Sequence, residues 1–178
     1  MRHLQKIALV AVIAAPVFIS MASPAHAWDH KREGFFLGGA LGGFGLWDAS
    51  ASKEFLWVAG AIEIGYAPSD QFLIYYSSRN LIMPALMFSL TLAADYYTEP
   101  AAPALFFTGG MGTFGGAIPM AGGYQGDSIY IGIGYEFARY WSIALEGGYT
   151  WLESGPEAES WDEMEGPEIR LLVGLTGY

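Results

Sequence analysis

Large apolar residues alternate with small or polar residues along most of this chain, and the pattern is clearest between Ser128 and Trp151. Odd positions from 129 to 137 are large and apolar, whereas even positions from 128 to 136 are mostly small or polar. After a tight connection at residues 138–140, odd positions from 141 to 151 again carry most of the large residues. Because strand side chains point to opposite faces with a period of two, this pattern predicts two antiparallel strands.

The same alternation, together with turn signals, predicts six further strands, which makes eight in all. Two glycine-rich strands, Gly34 to Trp47 and Ala104 to Phe114, alternate less cleanly, and the last strand runs from Ile169 to Tyr178. Short connections alternate with longer ones, as they do in barrels whose two chain ends lie on the same side. The short connections are Pro68 to Asp70, Glu99 to Pro103 and Ala138 to Tyr140, and the longer ones are Asp48 to Lys53, Asn80 to Pro84, Gly115 to Gly126 and Glu153 to Glu168.

The distribution of residue sizes favours a barrel in a membrane over a soluble sheet. A soluble sandwich turns its bulky residues inward, but here the second face is mostly Gly, Ala, Ser and Thr, which suit a narrow barrel interior. The chain is 53% hydrophobic, yet its longest apolar run, Leu81 to Ala94, is interrupted by proline and hydroxyl residues. The fold expected is therefore all-β, an eight-stranded antiparallel transmembrane up-and-down β-barrel. A soluble β-sandwich is the alternative.

The first 27 residues are typical of a cleaved secretory signal peptide. A basic start precedes an apolar run from Ile7 to Ile19, and Ala25-His26-Ala27 has the small-x-small form of a cleavage site. About 13 apolar residues are too few for a spanning helix, which needs roughly 20. We expect cleavage between Ala27 and Trp28, leaving residues 28–178 as one barrel domain.

Composition excludes several function classes. Cleavage would remove two of the eight basic residues and none of the eighteen acidic ones, which takes the formal net charge from −10 to −12. Nucleic acid is therefore not an expected partner. The absence of cysteine from the whole sequence excludes disulfides, thiol nucleophiles and thiolate metal sites.

Three stretches carry a family resemblance: Ala104 to Gly110, Gly132 to Phe137, and Trp141 with Leu145 to Tyr149. With them the chain resembles the OmpA/OmpX-type small outer-membrane β-barrels over residues 34–178. The resemblance implies a bacterial outer-membrane location and a barrel architecture, but no particular activity. Members of that family commonly end on an aromatic residue that faces lipid and is recognised by the assembly machinery. Here Tyr178 has the opposite parity to Ile169, and a bulge near Gly174 or Gly177 would be needed to correct its phase.

Parity also predicts which charged residues point into the barrel. Since an eight-stranded barrel is narrow enough for side chains to fill, ionised groups inside it must be paired or hydrated. We expect the two inward arginines to bridge some of the inward carboxylates in a structural network. The predicted inward residues are Glu63, Arg79, Asp95, Glu136, Glu146 and Arg170.

An enzymatic function has little support in the sequence. Only His30 would remain after cleavage, and it precedes the first strand. Lipid A deacylases and palmitoyl transferases use small barrels with His and Ser, and no such pairing occurs in the predicted strands. We therefore predict no catalytic residues, no cofactor and no metal site.

The longest connection is strongly acidic. Seven carboxylates fall between Glu153 and Glu168, punctuated by two Gly-Pro pairs. Such a loop can contact divalent cations or a partner, although its spacing does not match the calcium-loop motif. The possible contact residues are Glu157, Glu159, Trp161, Asp162, Glu163 and Glu165.

Taken together, these features predict a non-enzymatic, monomeric outer-membrane barrel with a structural or surface-interaction role through its external loops. Its expected partners are outer-membrane lipid, lipopolysaccharide and, during biogenesis, the barrel-assembly machinery. A narrow channel for ions or small solutes and a lipid-modifying enzyme are the alternative functions.

Overall fold

The computed structural model describes residues 32–48, 53–82, 86–118, 122–154 and 164–178. In these ranges each strand pairs antiparallel with the next, and the last strand pairs with the first, so that the sheet forms a closed barrel. The predicted eight-stranded antiparallel barrel is therefore confirmed. Its strands are β1 Gly34–Asp48, β2 Lys53–Ser69, β3 Phe72–Ile82, β4 Leu86–Tyr97, β5 Ala104–Ile118, β6 Gly122–Ala138, β7 Trp141–Ser154 and β8 Met164–Gly177.

A continuous ladder between β1 and β8 closes the sheet. Leu37 lies opposite Gly177 and Leu46 lies opposite Glu168, and the register is constant between these two pairs. An open sheet would leave a row of unpaired backbone N–H and C=O groups at each edge, which is costly in lipid. Closure of this kind satisfies both edge strands. Among the described residues, no helix is long and apolar enough to cross a bilayer.

The three short connections lie at one end of the barrel, together with Arg32 and Tyr178 at the two ends of the described chain. We call this the turn end and the opposite end the loop end. Two of these connections have two residues each, 70–71 between β2 and β3 and 139–140 between β6 and β7, and in the second Tyr140 has a left-handed φ of 75°. That backbone conformation allows the chain to reverse within two residues.

The connections at the loop end are shorter than the sequence predicts. β5 continues to Ile118 and β6 begins at Gly122, so most of the segment predicted as a loop over residues 115–126 is paired strand. β7 continues to Ser154 and β8 begins at Met164, which likewise shortens the predicted acidic loop. The predicted loop that starts at Asn80 is also strand as far as the end of β3. Ladder hydrogen bonds use backbone groups alone, so a strand continues where the side-chain alternation fades.

The rim at the loop end is uneven. β3 and β4 have 11 and 12 residues, whereas β2 and β6 each have 17. Pairing between β2 and β3 begins at Val58, which lies opposite Ile82 at the end of β3. The first five residues of β2 therefore extend beyond the end of β3. The wall at β3 is therefore lower than the wall at β2, whereas β5 extends only one residue beyond its pairing with β4.

The two faces of the sheet carry the residues that the alternation assigned to them. On β6, Ile131 is 74% exposed while its neighbour Tyr130 is 1% exposed. On β2, Ile62 is 61% exposed while Ala61 and Trp57 are buried. Apolar side chains thus cover the outside of the barrel, and its core lies inside.

Small residues on the inner face make room for aromatic rings. A Cβ atom added to Gly134 on β6 would overlap the ring of Phe106 on the neighbouring strand β5. Phe106 belongs to a buried inner cluster that also contains Phe36, Tyr75 and Tyr97. The narrow interior therefore accommodates these rings because facing positions lack side chains.

The terminal aromatic residue faces the interior. The register of β8 is constant against both β1 and β7 as far as Gly177 and Leu175, so no bulge corrects the phase of Tyr178. Its ring packs against the inner cluster, with its centroid 5.8 Å from that of Phe36. Burial raises the pKa of its phenol, which keeps the hydroxyl protonated.

Candidate functional site

Buried charges occupy the middle of the barrel interior and form what we call the central cluster: Arg79, Tyr130, Glu146, Glu168 and Arg170. The Arg79 guanidinium binds the Glu146 carboxylate through two nitrogens, with Nη1 contacting Oε2 and Nη2 donating to Oε1 at 3.2 Å. Nη1 of Arg170 lies 3.5 Å from the same Oε2, so two arginines share one carboxylate. Nη2 of Arg170 forms a second ion pair with Oε1 of Glu168.

Tyr130 supports both arginines of the central cluster. The guanidinium carbon of Arg79 lies 4.0 Å from the centre of the Tyr130 ring, and that of Arg170 lies 5.3 Å away. Nη2 of Arg79 also donates a hydrogen bond to the Tyr130 hydroxyl. The sequence signal for this role is a large aromatic residue on a face otherwise made mainly of Gly and Ser. Sequence reasoning placed Tyr130 on that face but assigned it no function.

The position of Glu168 differs from the one that the sequence predicted for it in the acidic loop. It was expected among the external carboxylates, yet it is 4% exposed and lies on β8 inside the barrel. Besides Arg170, it accepts a hydrogen bond from the hydroxyl of Thr150. The preceding Gly166-Pro167 pair suggested a turn, whereas the shared parity of Glu168 and Arg170 would have placed both inside. With Glu168 included, two arginines face two glutamates, so the central cluster is formally neutral.

Two of the predicted inward carboxylates lie apart from the arginines. The Tyr75 hydroxyl donates to Oδ1 of Asp95 at 3.0 Å and lies 3.4 Å from the Thr108 hydroxyl. Glu63 is half-buried and lies opposite Gly38 of β1. Within the described residues, neither carboxylate forms an ion pair with an arginine.

A second buried ion pair lies at the turn end and was missed by sequence reasoning. Arg32, which precedes β1, is 3% exposed, and its Nη2 lies 2.9 Å from Oε2 of Glu136. Nε donates to the same oxygen at 3.1 Å, and the guanidinium carbon lies 4.0 Å from the centre of the Tyr97 ring. We call Arg32, Glu136 and Tyr97, with the carbonyls of Asp70 and Glu99 described next, the turn-end cluster.

Backbone carbonyls of two turns complete the shell around Arg32. Nη1 donates to the carbonyl oxygen of Asp70 at 3.0 Å and to that of Glu99 at 2.7 Å. The backbone N–H of Arg32 donates to Oδ1 of Asp70 at 2.8 Å. No periodic pattern includes Arg32, because it lies outside the strands, so sequence alone offered no parity from which to place it.

An aromatic layer adjoins the turn-end cluster. The rings of Tyr97 and Phe106 lie 5.0 Å apart, and those of Phe36 and Tyr75 lie 5.7 Å apart at a steep angle. With Tyr178 packed against Phe36, these rings fill the section of the barrel between the turn end and Asp95. This section of the interior is therefore occupied by side chains.

The remaining predicted site residues are only partly within the described chain. Glu165 lies on β8 and is exposed. The other possible contact residues and the predicted cleavage position fall outside the described residues; they are Glu157, Glu159, Trp161, Asp162, Glu163, Ala27 and Trp28. In the described ranges, no group of three or more His, Asp or Glu side chains is arranged to hold a metal ion.

A closed eight-stranded antiparallel barrel with an apolar exterior and a filled, charged interior has the architecture of the small outer-membrane β-barrels. The structure thus has the fold of the OmpA/OmpX-type barrels that the sequence resembles.

Comparison with solved structures agrees with that class. The crystal structure of Neisserial surface protein A is similar, with a TM-score of 0.51, 15% sequence identity, and coverage of 81% of this chain and 96% of that chain. The N-terminal β-barrel domain of Pseudomonas aeruginosa OprF has 12% identity and a TM-score of 0.48, covering 82% of this chain and 98% of its own. The outer membrane protein OprG from Pseudomonas aeruginosa has 12% identity and a TM-score of 0.40, with coverage of 83% and 98%. No family model and no curated protein matches the sequence. The likeness to Neisserial surface protein A concerns the fold alone.

Proposed function

We propose that this protein is a non-enzymatic, monomeric integral barrel of the bacterial outer membrane, with its specific contacts made at the loop end. The single observation that carries this proposal is the inverted distribution of residues. Large aliphatic and aromatic side chains such as Leu56, Ile131 and Phe107 are more than half exposed, while Arg79, Glu146 and Arg170 are buried. A soluble barrel would expose its charges and bury its aliphatic residues, whereas a barrel in lipid has the arrangement seen here.

The height of the apolar exterior supports a membrane location. On β7 the outward positions run from Trp141, near the turn end, to Trp151, which is 44% exposed. Ten residues of strand span about 33 Å, or about 25 Å along the barrel axis at a tilt of about 40°. Outer-membrane barrels have an apolar band of about 25 Å between aromatic girdles. The spacing of the two tryptophans therefore fits one such membrane.

Export is part of the same proposal. The signal peptide would direct the chain across the inner membrane, cleavage would follow Ala27, and the barrel-assembly machinery would then insert the barrel. Mass spectrometry of the protein purified from membranes should identify Trp28 as the first residue. A mature chain that still begins at Met1 would contradict this step.

Membrane insertion is tested by cell fractionation and by gel mobility with and without boiling. We expect the protein in the outer-membrane fraction, with a mobility shift on heating because a closed barrel resists detergent unfolding. Ile131→Lys should lower the stability of the folded barrel by about 2–4 kcal/mol if Ile131 faces the middle of the bilayer. Ile131→Val is the matched control, and a soluble periplasmic protein with no mobility shift would overturn the proposal.

The surface contact is proposed for the acidic segment between β7 and β8. Two paired strands hold this segment, and the carboxylates at its borders, Glu153 and Glu165, are exposed. Lipopolysaccharide with bridging divalent cations is the partner chemistry that fits carboxylates at this level of the membrane.

The loop contact is tested by neutralising carboxylates and measuring uptake of a hydrophobic dye by cells. The test variant carries amides at Glu157, Glu159, Asp162, Glu163 and Glu165. Dye uptake should approach that of cells lacking the protein, because the contacts that seal the outer leaflet are removed. The matched control neutralises Glu33 and Glu99, which are exposed at the turn end. Equal dye uptake in the test and control cells would contradict a role for the loop.

The two alternative functions predict different measurements. The filled interior supports a barrel that does not conduct, so we expect no steady conductance from the purified protein in planar bilayers. A lipid-modifying enzyme would alter the acyl chains of lipid A when the protein is overexpressed. Unchanged lipid A under strong expression supports the non-enzymatic proposal, and altered acylation would contradict it.

A further inference from the structure

Arg32, two residues before β1, lies at the mouth of the barrel at the turn end. Arg32 contacts two of the short connections and one strand end: Asp70 between β2 and β3, Glu99 between β4 and β5, and Glu136 near the end of β6. These partners are separated from Arg32 by 38, 67 and 104 residues along the chain. One side chain therefore connects three hairpins, two of which are also linked by Gln71, whose Nε2 donates to the carbonyl oxygens of Tyr97 and Thr98.

The contacts of Arg32 are of the strong kind. Nε donates a hydrogen bond to Oε2 of Glu136, Nη2 lies 2.9 Å from the same oxygen, and both side chains are less than a tenth exposed. Charge-assisted hydrogen bonds are about twice as strong as neutral ones. A lysine could neutralise Glu136, but it could not also reach two carbonyls and lie flat on Tyr97, because it lacks the planar fork.

A glycine sets the direction of this segment. Gly34, the first residue of β1, has a φ of +107°, a conformation that residues with a side chain rarely adopt. A Cβ atom at this position would meet no other atom within 4 Å. The glycine is therefore explained by its backbone conformation rather than by crowding. Its bend turns the chain from the wall of β1 toward the mouth, where Arg32 lies.

We propose that Arg32 and Gly34 form a strap that closes the turn end of the barrel and controls access to its interior. The strap covers buried positions just inside the mouth, including Ala104, which lies opposite Glu136 in the β5–β6 ladder and is 2% exposed. Because Arg32 lies outside the strands, its contacts can be released without breaking a ladder. That this mouth opens to the periplasm rests on the proposed function. Its closure by Arg32 does not depend on that function.

The natural absence of cysteine allows a direct test. Ala104→Cys places one thiol beneath the strap, and Ala59→Cys places one at a buried inner position toward the loop end of β2. Each single-cysteine protein is purified from membranes in detergent, and its rate of reaction with a small charged methanethiosulfonate is measured. The rates are compared with and without Arg32→Ala. Arg139→Ala, which changes an exposed arginine at the same end, is the matched control.

The strap predicts a local effect. Arg32→Ala should accelerate labelling at Ala104→Cys by at least about tenfold, which corresponds to about 1.4 kcal/mol in the opening equilibrium. Labelling at Ala59→Cys should stay unchanged, and Arg139→Ala should change neither rate. An unchanged rate at Ala104→Cys, or equal acceleration at both positions, would overturn the proposal, because the second outcome indicates general loosening.

A second variant keeps the proposal testable if Arg32→Ala does not fold. Gly34→Ala leaves every charge in place and opposes only the backbone bend that positions Arg32. It should accelerate labelling at Ala104→Cys in the same direction, while labelling at Ala59→Cys stays constant. The boiling-dependent mobility shift tests the proposed function, and it does so independently of the labelling experiment. A shifted, membrane-inserted protein with no labelling change in either variant would refute the strap alone.

Discussion

The central cluster and the turn-end cluster are both arginine–carboxylate clusters, but the chain builds them differently. In the central cluster Arg79, Glu146 and Arg170 all project from strands, so the ladder fixes their positions before they pair. In the turn-end cluster Arg32 comes from outside the strands, and its partners include two backbone carbonyls. The first cluster therefore depends on the barrel strands, whereas the second links two turns to the end of β6. We expect the first to govern stability and the second to govern access.

The largest effect should come from removing the shared carboxylate. Glu146→Ala leaves two buried guanidinium groups without their common partner, and breaking a buried pair in this way costs about 3–5 kcal/mol. The free energy of unfolding in urea, measured with the protein in lipid vesicles, should fall by that amount. Glu165→Gln, an exposed change on the neighbouring strand, is the control. A loss below about 0.5 kcal/mol, the range of ordinary surface changes, would show that the cluster does not hold the barrel together.

Removal of the strap arginine should have a smaller effect on stability. Arg32→Ala breaks charge-assisted hydrogen bonds, but Glu136 lies near the mouth, where water can replace the lost partner. We expect a loss of about 1.5–3 kcal/mol in the same unfolding measurement. A cost equal to that of Glu146→Ala would remove the distinction between the two clusters.

Gly34→Ala should cost less again. Forcing a residue with a Cβ atom into a left-handed conformation costs about 1–2 kcal/mol, and no neighbouring atom adds a steric penalty here. Gly43→Ala on the same strand, where a Cβ atom also meets no atom within 4 Å and φ lies outside the left-handed range, is the matched control. Equal stability of the two alanine variants would show that the bend at Gly34 is unimportant.

The smallest expected effect is the coupling between the clusters. Glu136 lies opposite Ser142 on β7, and Glu146 is four residues further along that strand, about 13 Å away. Groups this far apart without shared partners have additive effects within about 0.3–0.5 kcal/mol. The double variant Arg32→Ala/Glu146→Ala should therefore lose the sum of the two single losses. A coupling above about 1 kcal/mol would mean that the two clusters act as one network.

The strands and the inward residues were predictable because one physical rule determines both. A period of two assigns Arg79, Glu146 and Arg170 to one face, and a closed barrel makes that face the interior. The same rule would have placed Glu168 inside had the Gly166-Pro167 pair not suggested a loop. Sequence reasoning therefore failed there by giving local turn chemistry more weight than parity.

Other features were beyond a periodic rule. Arg32 lies outside every strand, so only the three-dimensional meeting of three turns shows what it contacts. The true lengths of β5 and β6 depend on backbone pairing through glycines, which leave no alternation to read. The inward position of Tyr178, by contrast, follows its parity, because the register of β8 is constant and no bulge turns the residue toward lipid.

The uneven rim gives the barrel a direction in the plane of the membrane. Five residues of β2 stand above the end of β3, which raises that part of the wall by roughly 12 Å at the usual strand tilt. A molecule that diffuses along the membrane surface toward the mouth therefore meets a step in the described wall between β3 and β2. A molecule that approaches from one side of the barrel therefore meets a different rim height from one that approaches from another side. Two copies of the barrel would likewise face each other with different rim heights, depending on how each is rotated about its axis.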